Sequence, residues 1–283
     1  MRILIAVSSV VVWLGSSVFA AQTPAVEPSA FGGLYGELLQ KYRHEPGVVN
    51  GVFTSVFDFA RMSTDAREKN SLFQRTLSAF ERTDVARIAT ESDLKAFWMN
   101  AYNFAAMKIV VENYPIKSIR DRKVSLFKYP WSQKVIRSGG EMLSLKGIEQ
   151  GILLKQFNDP RIVFAVNCMT ISCPDLAPEP FDGNRLETQL DELMRAFLTN
   201  QSKGLSIDTA GATIRVSWIF DKHEELIRRE MGGLKGVVHR YLDPSTCDWM
   251  ERFGSRARIQ YMEHDWTLND SALVERRIGD RKN

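Results

Sequence analysis

Two of the three cysteines of the chain, Cys168 and Cys173, lie close together in the segment VFAVNCMTISCPDL. A pair with this spacing could form a disulfide, bind a metal ion, supply a nucleophilic thiolate or pack as two reduced core thiols. A Cys-x4-Cys pair without a second pair of ligands is not a zinc signature, and none of the four histidines is near another at metal-ligand spacing. We therefore expect no metal ion and no cofactor, and the other three alternatives stay open.

The apolar run at residues 161–166 predicts a short buried strand at the centre of a sheet. Asn167 and Cys168 follow this run directly. In open α/β sheets, ligands bind beyond the carboxyl ends of the strands, so this position suits Cys168 to chemistry. A thiol at this position needs a lowered pKa before it can act as a nucleophile.

Two asparagines, Asn100 and Asn103, lie on the most apolar helical segment of the chain, FWMNAYNFAAMKIV. They are three residues apart and therefore project from one side of the helix. Asparagine is a poor residue inside a helix, and a buried asparagine must find hydrogen-bond partners. Both side chains could position a polar group in a site, or they could bond to neighbouring loops and lock the packing.

Two further segments carry candidate site residues with carboxylate or imidazole side chains. Glu149 lies among apolar residues in the segment SLKGIEQGILL, where it could be buried beside a site or lie on the helix surface. The segment HDWTLN, residues 264–269, follows the last predicted strand, and polar groups at strand ends often reach a site. Asp265 and Asn269 could instead tie down the C-terminal turn.

The elements that must position these residues are mainly helices, with scattered strands. The clearest helix begins near Thr90 and ends near Tyr114, because apolar residues recur at steps of three and four and a proline follows. Further helices are predicted at residues 31–43, 68–82, 145–157 and 185–203, and strands at residues 50–61 (in part), 161–166, 213–217 and 256–262, with a hairpin within 131–143. This mixture predicts a single α+β domain over residues 31–270, with a small central sheet surrounded by several helices and a C-terminal tail at 271–283.

The first 20 residues have the three-part pattern of a secretory signal, with a basic start, an apolar run and a small residue, Ala20, at the cleavage position. An uncleaved anchor is the alternative, because the apolar run is marginal for a membrane span of about 20 residues. Residues 21–30 are predicted to be a flexible lead-in. Export would place the chain in the periplasm or outside the cell, where disulfides persist.

The charge balance restricts the partners. The chain has 37 basic and 34 acidic residues and no long basic block, so we expect no nucleic-acid partner. No later apolar run is long enough for a membrane span, so none is expected after removal of the signal. The remaining partner classes are an unknown small molecule or another protein.

Four segments together resemble the family called domain of unknown function 547. They are KAFWMNAYNFAAMKIVVENYPIKSIRD, LSLKGIEQGILLKQFNDPRIVFAVNCMTISCPDL, LETQLDELMRAFL and IQYMEHDWTLN, in the order of the family and within roughly residues 50–269. The residues on its characteristic positions are Asn100, Tyr102, Asn103, Glu149, Cys168, Ser172, Cys173, Pro174, Asp265, Trp266 and Asn269. The resemblance implies that Glu149 and Asp265 face a shared site, and it implies no activity.

The chain also departs from the family pattern. Many relatives have histidine at the positions of Gln150 and Val163, and the closing motif usually begins with tyrosine where this chain has His264. A nucleophilic cysteine usually works with a positioned base, most often histidine. The loss of two histidines therefore weakens a catalytic interpretation, unless the fold brings His264 close to Cys168.

Two hypotheses follow for the function. The first is an exported domain that binds a small molecule or a partner, in which a disulfide between Cys168 and Cys173 fixes the loop and Cys247 stays reduced. The residues expected to bind are Asn100, Asn103, Asn167, Ser172, Asp265 and Asn269. The alternative is a thiol-dependent hydrolase or acyl transferase, with Cys168 as nucleophile and His264 or Glu149 as proton acceptor. Thiol–disulfide exchange is less favoured, because the motif is not Cys-x-x-Cys.

Overall fold

The computed structural model describes residues 27–126 and 129–275. Its helices are α1 Pro28–Tyr42, α2 Phe59–Asp65, α3 Leu72–Arg82, α4 Glu91–Asn113, α5 Leu154–Phe157, α6 Leu186–Thr199, α7 Trp218–Lys222, α8 Glu224–Met231, α9 Gly233–Tyr241 and α10 Pro244–Phe253. Its strands are β1 Arg43–Val49, β2 Val52–Phe57, β3 Lys134–Ser138, β4 Glu141–Ser144, β5 Leu205–Asp208, β6 Thr213–Ser217 and β7 Arg258–Met262. A π-helix, Gly147–Leu153, directly precedes α5. The α+β class is confirmed.

Helix α4 forms the centre of the larger hydrophobic core. It begins where the sequence predicts, because the Thr90 hydroxyl accepts a hydrogen bond from the Asp93 N–H at 3.0 Å and so caps the first turn. From Ala96 to Val111, the side chains around almost the whole helix are buried. Helices α1, α2 and α3, strand β3 and the π-helix all pack against α4 or against one another. A helix that is apolar on all sides must be surrounded in this way.

The strands form three small sheets, which differs from the expected single central sheet. β1 pairs with β2 and β3 with β4, both antiparallel, and the third sheet has the order β5-β6-β7, with β6 and β7 parallel. The hairpin β3–β4 and the strand β6 lie where the sequence predicts them. Sheets of two or three short strands gain stability by packing against helices, as these do.

The predicted strand at residues 161–166 is wrong. The segment Pro160–Phe164 is a 3₁₀ helix, and all five of its residues are buried. The Asp159 carboxylate accepts a hydrogen bond from the Arg161 N–H at 3.0 Å and starts this helix, while Pro160 supplies a backbone angle that fits the first turn. A short apolar run that is buried on every side has no period that separates a strand from a helical turn.

The first and last described residues extend the fold beyond its expected limits. Helix α1 begins at Pro28, inside the segment that was predicted to be a flexible lead-in. At the other end, the Glu275 N–H donates to the Val48 carbonyl at 2.8 Å, so the start of the predicted tail packs on β1. The predicted signal at residues 1–20 lies outside the described residues. None of the helices in the described ranges is long and apolar enough to cross a membrane.

Candidate thiol site

The loop that follows the 3₁₀ helix is held by one asparagine. The Asn167 N–H donates to the Asn103 side-chain oxygen on α4 at 2.8 Å. The side-chain oxygen of Asn167 accepts a hydrogen bond from the Met169 N–H, and its side-chain nitrogen donates to the Pro174 carbonyl, both at 2.5 Å. Met169 has a φ of 62°, a left-handed conformation that costs a non-glycine residue energy and persists where the surroundings enforce it. These contacts make the loop turn back on itself.

The turn brings the two cysteines together, but they do not form the expected disulfide. Both are free, and their Sγ atoms are 2.8 Å apart, whereas a disulfide bond measures about 2.05 Å. The Cys168 N–H also points at the Cys173 sulfur, at a distance of 3.4 Å. The pair is therefore two hydrogen-bonded thiol groups, and the expected closeness is present without the bond.

The groups around the two sulfurs shift the pKa values of the two thiols in opposite directions. Burial acts to raise the pKa of the Cys173 thiol, but hydrogen bonds from Cys168 and His264 outweigh burial and hold this pKa well below its ordinary value. The Thr170 hydroxyl also donates to the Cys173 sulfur, at 3.2 Å. The hydrogen bond to Cys173, together with burial, raises the pKa of Cys168 well above its ordinary value. The favoured thiolate is thus Cys173, with Cys168 as its S–H donor, whereas the sequence had pointed to Cys168 as the nucleophile.

His264 lies at the edge of this cluster. Its Nε2 atom is 3.0 Å from the Thr170 hydroxyl oxygen, which forms a chain of hydrogen bonds from the imidazole through Thr170 to Cys173. The ring packs against Trp266, with centroids 4.0 Å apart, and against the edge of Trp218 at 5.4 Å. Its Nδ1 atom is buried and has no hydrogen-bond partner among the residues described. Aromatic contacts, and not a carboxylate, therefore hold the imidazole in place.

The C-terminal segment 264–269 reaches the loop by backbone and side-chain pairing. The Ser172 hydroxyl accepts from the Asp265 N–H at 2.9 Å, and the Ile171 N–H donates to the Thr267 carbonyl at 2.9 Å. The Asp265 carboxylate accepts from the Thr267 N–H at 2.9 Å and from Asn50 at 3.1 Å. Burial acts to raise the pKa of Asp265, but these hydrogen bonds hold it below its ordinary value. Asp265 and Ser172 thus dock the segment that carries His264.

The buried sulfur pair and the half-buried His264 line a cavity of about 300 Å³. Aromatic and aliphatic side chains make up most of its lining, and the exposed Lys146 is among its polar residues. The lining residues are Tyr102, Tyr129, Trp131, Ser132, Lys146, Glu149, Gln150, Val163, Val166, Cys168, Cys173, Pro174, Trp218, Ile219, Lys222, His223, His264 and Trp266. An apolar cavity with a few converging polar groups is the usual form of a small-molecule site.

Glu149 is the buried carboxylate of this cavity. It lies in the π-helix Gly147–Leu153, a rare conformation that is frequent at functional sites. One carboxylate oxygen is 3.5 Å from the Lys222 ammonium and 3.8 Å from His223 Nε2. Burial and the charge of Lys222 lower the pKa of His223 to about 4, so His223 is neutral near pH 7. Lys222 is therefore the counter-charge of Glu149.

The structure divides the expected site residues into two groups. Glu149, Cys168, Cys173 and His264 line the cavity. The asparagines and the remaining polar residues use their hydrogen bonds within the fold. Asn100 pairs with the backbone N–H and carbonyl of Phe181, both at 2.9 Å, and Asn269 donates to the Ser55 carbonyl at 3.1 Å. These residues, with Asn103, Asn167, Ser172 and Asp265, position the loops and do not line the cavity.

Several lining residues were not selected from the sequence. Thr170 does not line the cavity, but it contacts both sulfurs, and only the turned loop gives it these contacts. Trp218 and Lys222 carried no signal, since α7 reaches the cavity through the packing of a distant part of the chain. Gln150 and Val163, the two positions at which the family resemblance implies histidine, line the same cavity as His264. His264 thus supplies an imidazole to that cavity from a different segment of the chain.

The spacing of three potential ligand atoms in this cluster decides whether it suits a metal ion. One sulfur from each of the two cysteines and one nitrogen of His264 lie within 4.8 Å of one another. Tetrahedral zinc with Zn–S bonds of about 2.3 Å keeps its sulfur ligands about 3.8 Å apart, since the edge of a tetrahedron is about 1.6 times the bond length. The observed separation of 2.8 Å is too short for that arrangement. The two sulfurs as placed therefore do not have the spacing of a pair of zinc ligands.

Comparison with known proteins gives a family and no activity. Residues 87–198 match the model of the family described as protein of unknown function, DUF547. This segment includes α4, the π-helix, the cysteine loop and α6. The resemblance to this family is therefore confirmed over residues 87–198, a segment that contains Cys168 and Cys173 but not His264. No curated protein and no solved structure matches the chain.

Proposed function

We propose that this chain, whose residues 87–198 carry the DUF547 match, is a thiol-dependent hydrolase or acyl transferase with Cys173 as nucleophile and His264 as proton acceptor. One observation carries the proposal. Atoms of Cys168, Cys173 and His264 lie within 4.8 Å of one another, and these residues line an apolar cavity of about 300 Å³. A thiolate with a lowered pKa beside an imidazole is the arrangement that nucleophilic cysteine catalysis requires.

The reaction begins with attack of the Cys173 thiolate on the carbonyl carbon of the substrate. A C–S bond forms as the C–O or C–N bond to the leaving group breaks. The proton of Cys173 has passed through the Thr170 hydroxyl to His264, which returns it to the leaving group. Water, or a second substrate with a hydroxyl or amine, then cleaves the thioester and restores the thiol proton. No oxidant or reductant is consumed.

Two neighbours of Cys173 support this chemistry. The S–H of Cys168 stabilises the thiolate, since a hydrogen bond to the charged form favours ionisation. Tyr102 lines the same cavity, and burial, followed by the charge of Glu149, raises the pKa of its phenol well above the ordinary value. The phenol therefore keeps its proton and can donate a hydrogen bond to the oxyanion that forms on the substrate.

Binding of a small molecule without turnover is the second candidate. It is favoured by the way His264 is held, because in the described ranges no carboxylate contacts the imidazole to orient it. The Ser-His-Asp arrangement relies on such a third group. In a binding protein, the aromatic walls would supply the affinity, and the thiol pair would fix the loop.

Export is the part of the proposal that concerns location. It rests on the basic start, the apolar run and the small residue at position 20. We expect the exported protein to begin at Ala21, which an intact mass of the chain from a periplasmic or culture fraction will test. Recovery of a membrane-bound chain that retains Met1 would contradict cleavage.

The reactivity of Cys173 can be measured against Cys247 in the same molecule. Cys247 is more exposed than the buried Cys173, so exposure alone favours Cys247. An ordinary thiol with a pKa of about 8.5 is less than about 1% ionised at pH 6. We expect iodoacetamide at pH 6 to label Cys173 at least about tenfold faster than Cys247, because the lowered pKa of Cys173 gives it the larger fraction of thiolate. Peptide mass spectrometry of time points gives both rates.

Two results would contradict this expectation. If Cys247 is labelled first at pH 6, Cys173 is not a reactive thiolate, and the nucleophile proposal fails. If labelling of Cys173 rises only after treatment with a chelator, a metal ion occupies the sulfurs, and the cluster is a metal site. A His264→Gln variant should lower the rate at Cys173 and leave the rate at Cys247 unchanged, since the two sites share no contacts.

A further inference from the structure

We infer that Lys146 and Lys222 form an anion-binding subsite in this cavity, and that the acyl substrate carries a carboxylate or phosphate at the end remote from its reacting carbonyl. The inference rests on the proposed function, because it names the class of substrate that would reach Cys173. It concerns residues of the chain that the thiol chemistry itself does not use.

The two lysines reach the cavity from separate elements. Lys146 immediately precedes the π-helix, and Lys222 is the last residue of α7. Both line the same cavity as Cys173. Lys146 is exposed and has no ion-pair partner in the part of the chain that the structure describes. Two lysine side chains from different parts of the chain therefore line one cavity.

Lys222 is held only loosely by Glu149. The N–O distance of 3.5 Å is longer than the 2.7–2.9 Å of a good charge-assisted hydrogen bond, and about a third of the Lys222 side chain is exposed. His223, the other group near Glu149, is neutral at pH 7 because its pKa is about 4. The ammonium of Lys222 can therefore contact an incoming anion without leaving its position beside the cavity.

The walls argue against a cationic substrate. Lys222 already lies over the Trp218 ring, 5.5 Å from its centroid, and Arg120 lies over the Trp266 ring at 4.9 Å. Protein cations therefore already interact with two of the aromatic rings to which a cationic ligand could bind. Glu149 is the one carboxylate among the described lining residues. A substrate with an apolar body and an anionic end fits both the walls and the two lysines.

A matched pair of thiol reagents tests this inference. N-propylmaleimide and 3-maleimidopropionate have the same reactive ring, and only the second carries a charge. We expect the ratio of the Cys173 labelling rates, anionic over neutral, to fall about fivefold in Lys146→Gln, since one ion pair at a partly exposed site contributes up to about 1 kcal/mol. Lys222→Gln should lower the ratio by a similar factor. Lys235→Gln, at an exposed lysine paired with Glu251 away from the cavity, is the control and should keep the wild-type ratio.

The two proposals fail in different ways. A ratio that is the same in wild type, Lys146→Gln and Lys222→Gln, with fast labelling by the neutral reagent, overturns the anion subsite and leaves Cys173 as a reactive thiolate. Slow labelling of Cys173 by the neutral reagent overturns the nucleophile, and the inference with it. Because Lys146 is exposed and has no ion pair in the described residues, its variant should fold, so the ratio stays measurable even if Lys222→Gln is unstable.

Discussion

Replacing Cys173 by serine is expected to lower the turnover of an activated ester, such as p-nitrophenyl butyrate, by at least about a thousandfold, since loss of a nucleophile removes the covalent step. A serine hydroxyl in this position stays protonated, and His264 has no carboxylate partner in the described ranges that would strengthen it as a base. Release of p-nitrophenol gives the rate. Intact mass of the wild type, quenched in acid, should show one butyryl group, and digestion should place it on Cys173.

Cys168→Ser is the matched control for this prediction. The serine hydroxyl can still donate a hydrogen bond to the Cys173 thiolate, so we expect a loss of at most about tenfold, which is less than the loss of a whole hydrogen bond to a charged group, about 1.5–3 kcal/mol, would cause. The opposite pattern, with turnover kept in Cys173→Ser and lost in Cys168→Ser, would exchange the roles of the two thiols. Equal and complete loss in both variants, with both still folded, would favour a site that needs two sulfurs.

The nucleophile illustrates where sequence reasoning stops. The spacing of Cys168 and Cys173 marked the loop, and the family motifs marked the segment that carries His264. Which of two neighbouring thiols ionises depends on which one receives the hydrogen bonds. The donors to Cys173 are the S–H and N–H of Cys168 and the Thr170 hydroxyl, with His264 behind Thr170, and the contacts within the loop depend on a left-handed residue at position 169. A pattern of residue types does not contain that backbone turn.

The sequence predicts the burial of Asn100 and Asn103 but not their hydrogen-bond partners. Their position on an apolar helix correctly predicts burial and saturated hydrogen bonding, since Asn100 is 4% exposed and Asn103 is 1% exposed. Their partners are backbone groups of Phe181, Ala165 and Asn167, far away in the sequence. Helix α4 was predictable because its period is local. Its partners were not, because packing between distant segments selects them, as it also brings Trp218 and Lys222 to the cavity.

The second prediction with a large expected effect concerns the stability that the ion pair between Asp175 and Lys203 gives to the cysteine loop. Replacing Asp175 by asparagine is expected to lower the free energy of unfolding by about 3 kcal/mol, because the mutation leaves a buried ammonium without its counter-charge. The Lys203 ammonium lies 2.8 Å from the Asp175 carboxylate, and its side chain is 1% exposed. Burial lowers the pKa of Lys203 and outweighs the attraction of Asp175, so the charged form is already costly with the partner present.

The pH dependence of this pair follows from Asp175. Burial acts to raise the pKa of this carboxyl, but Lys203 and the hydrogen bonds from Ser55 and Thr54 hold it below the ordinary value. A carboxyl whose pKa is lower in the folded state stabilises the fold above its unfolded pKa, of about 3.9. This contribution is lost as the pH falls through the lower, folded value. The difference in stability between wild type and Asp175→Asn should therefore shrink at acid pH.

Urea unfolding at pH 7, followed by tryptophan fluorescence, measures the effect, and two variants sharpen it. Asp65→Asn removes the carboxylate of a more exposed pair, in which the Lys41 side chain is 38% exposed, and should cost no more than about 1 kcal/mol. Lys203→Met combined with Asp175→Asn removes the uncompensated charge and should recover most of the loss, since an apolar side chain can replace a buried ion pair.

If Asp175→Asn costs no more than Asp65→Asn, water reaches the Lys203 ammonium, and the loop does not depend on the pair. If the double variant is as unstable as Asp175→Asn alone, the hydrogen bonds from Asp175 to Ser55 and Thr54 hold the loop, and the charge of Lys203 does not decide its stability.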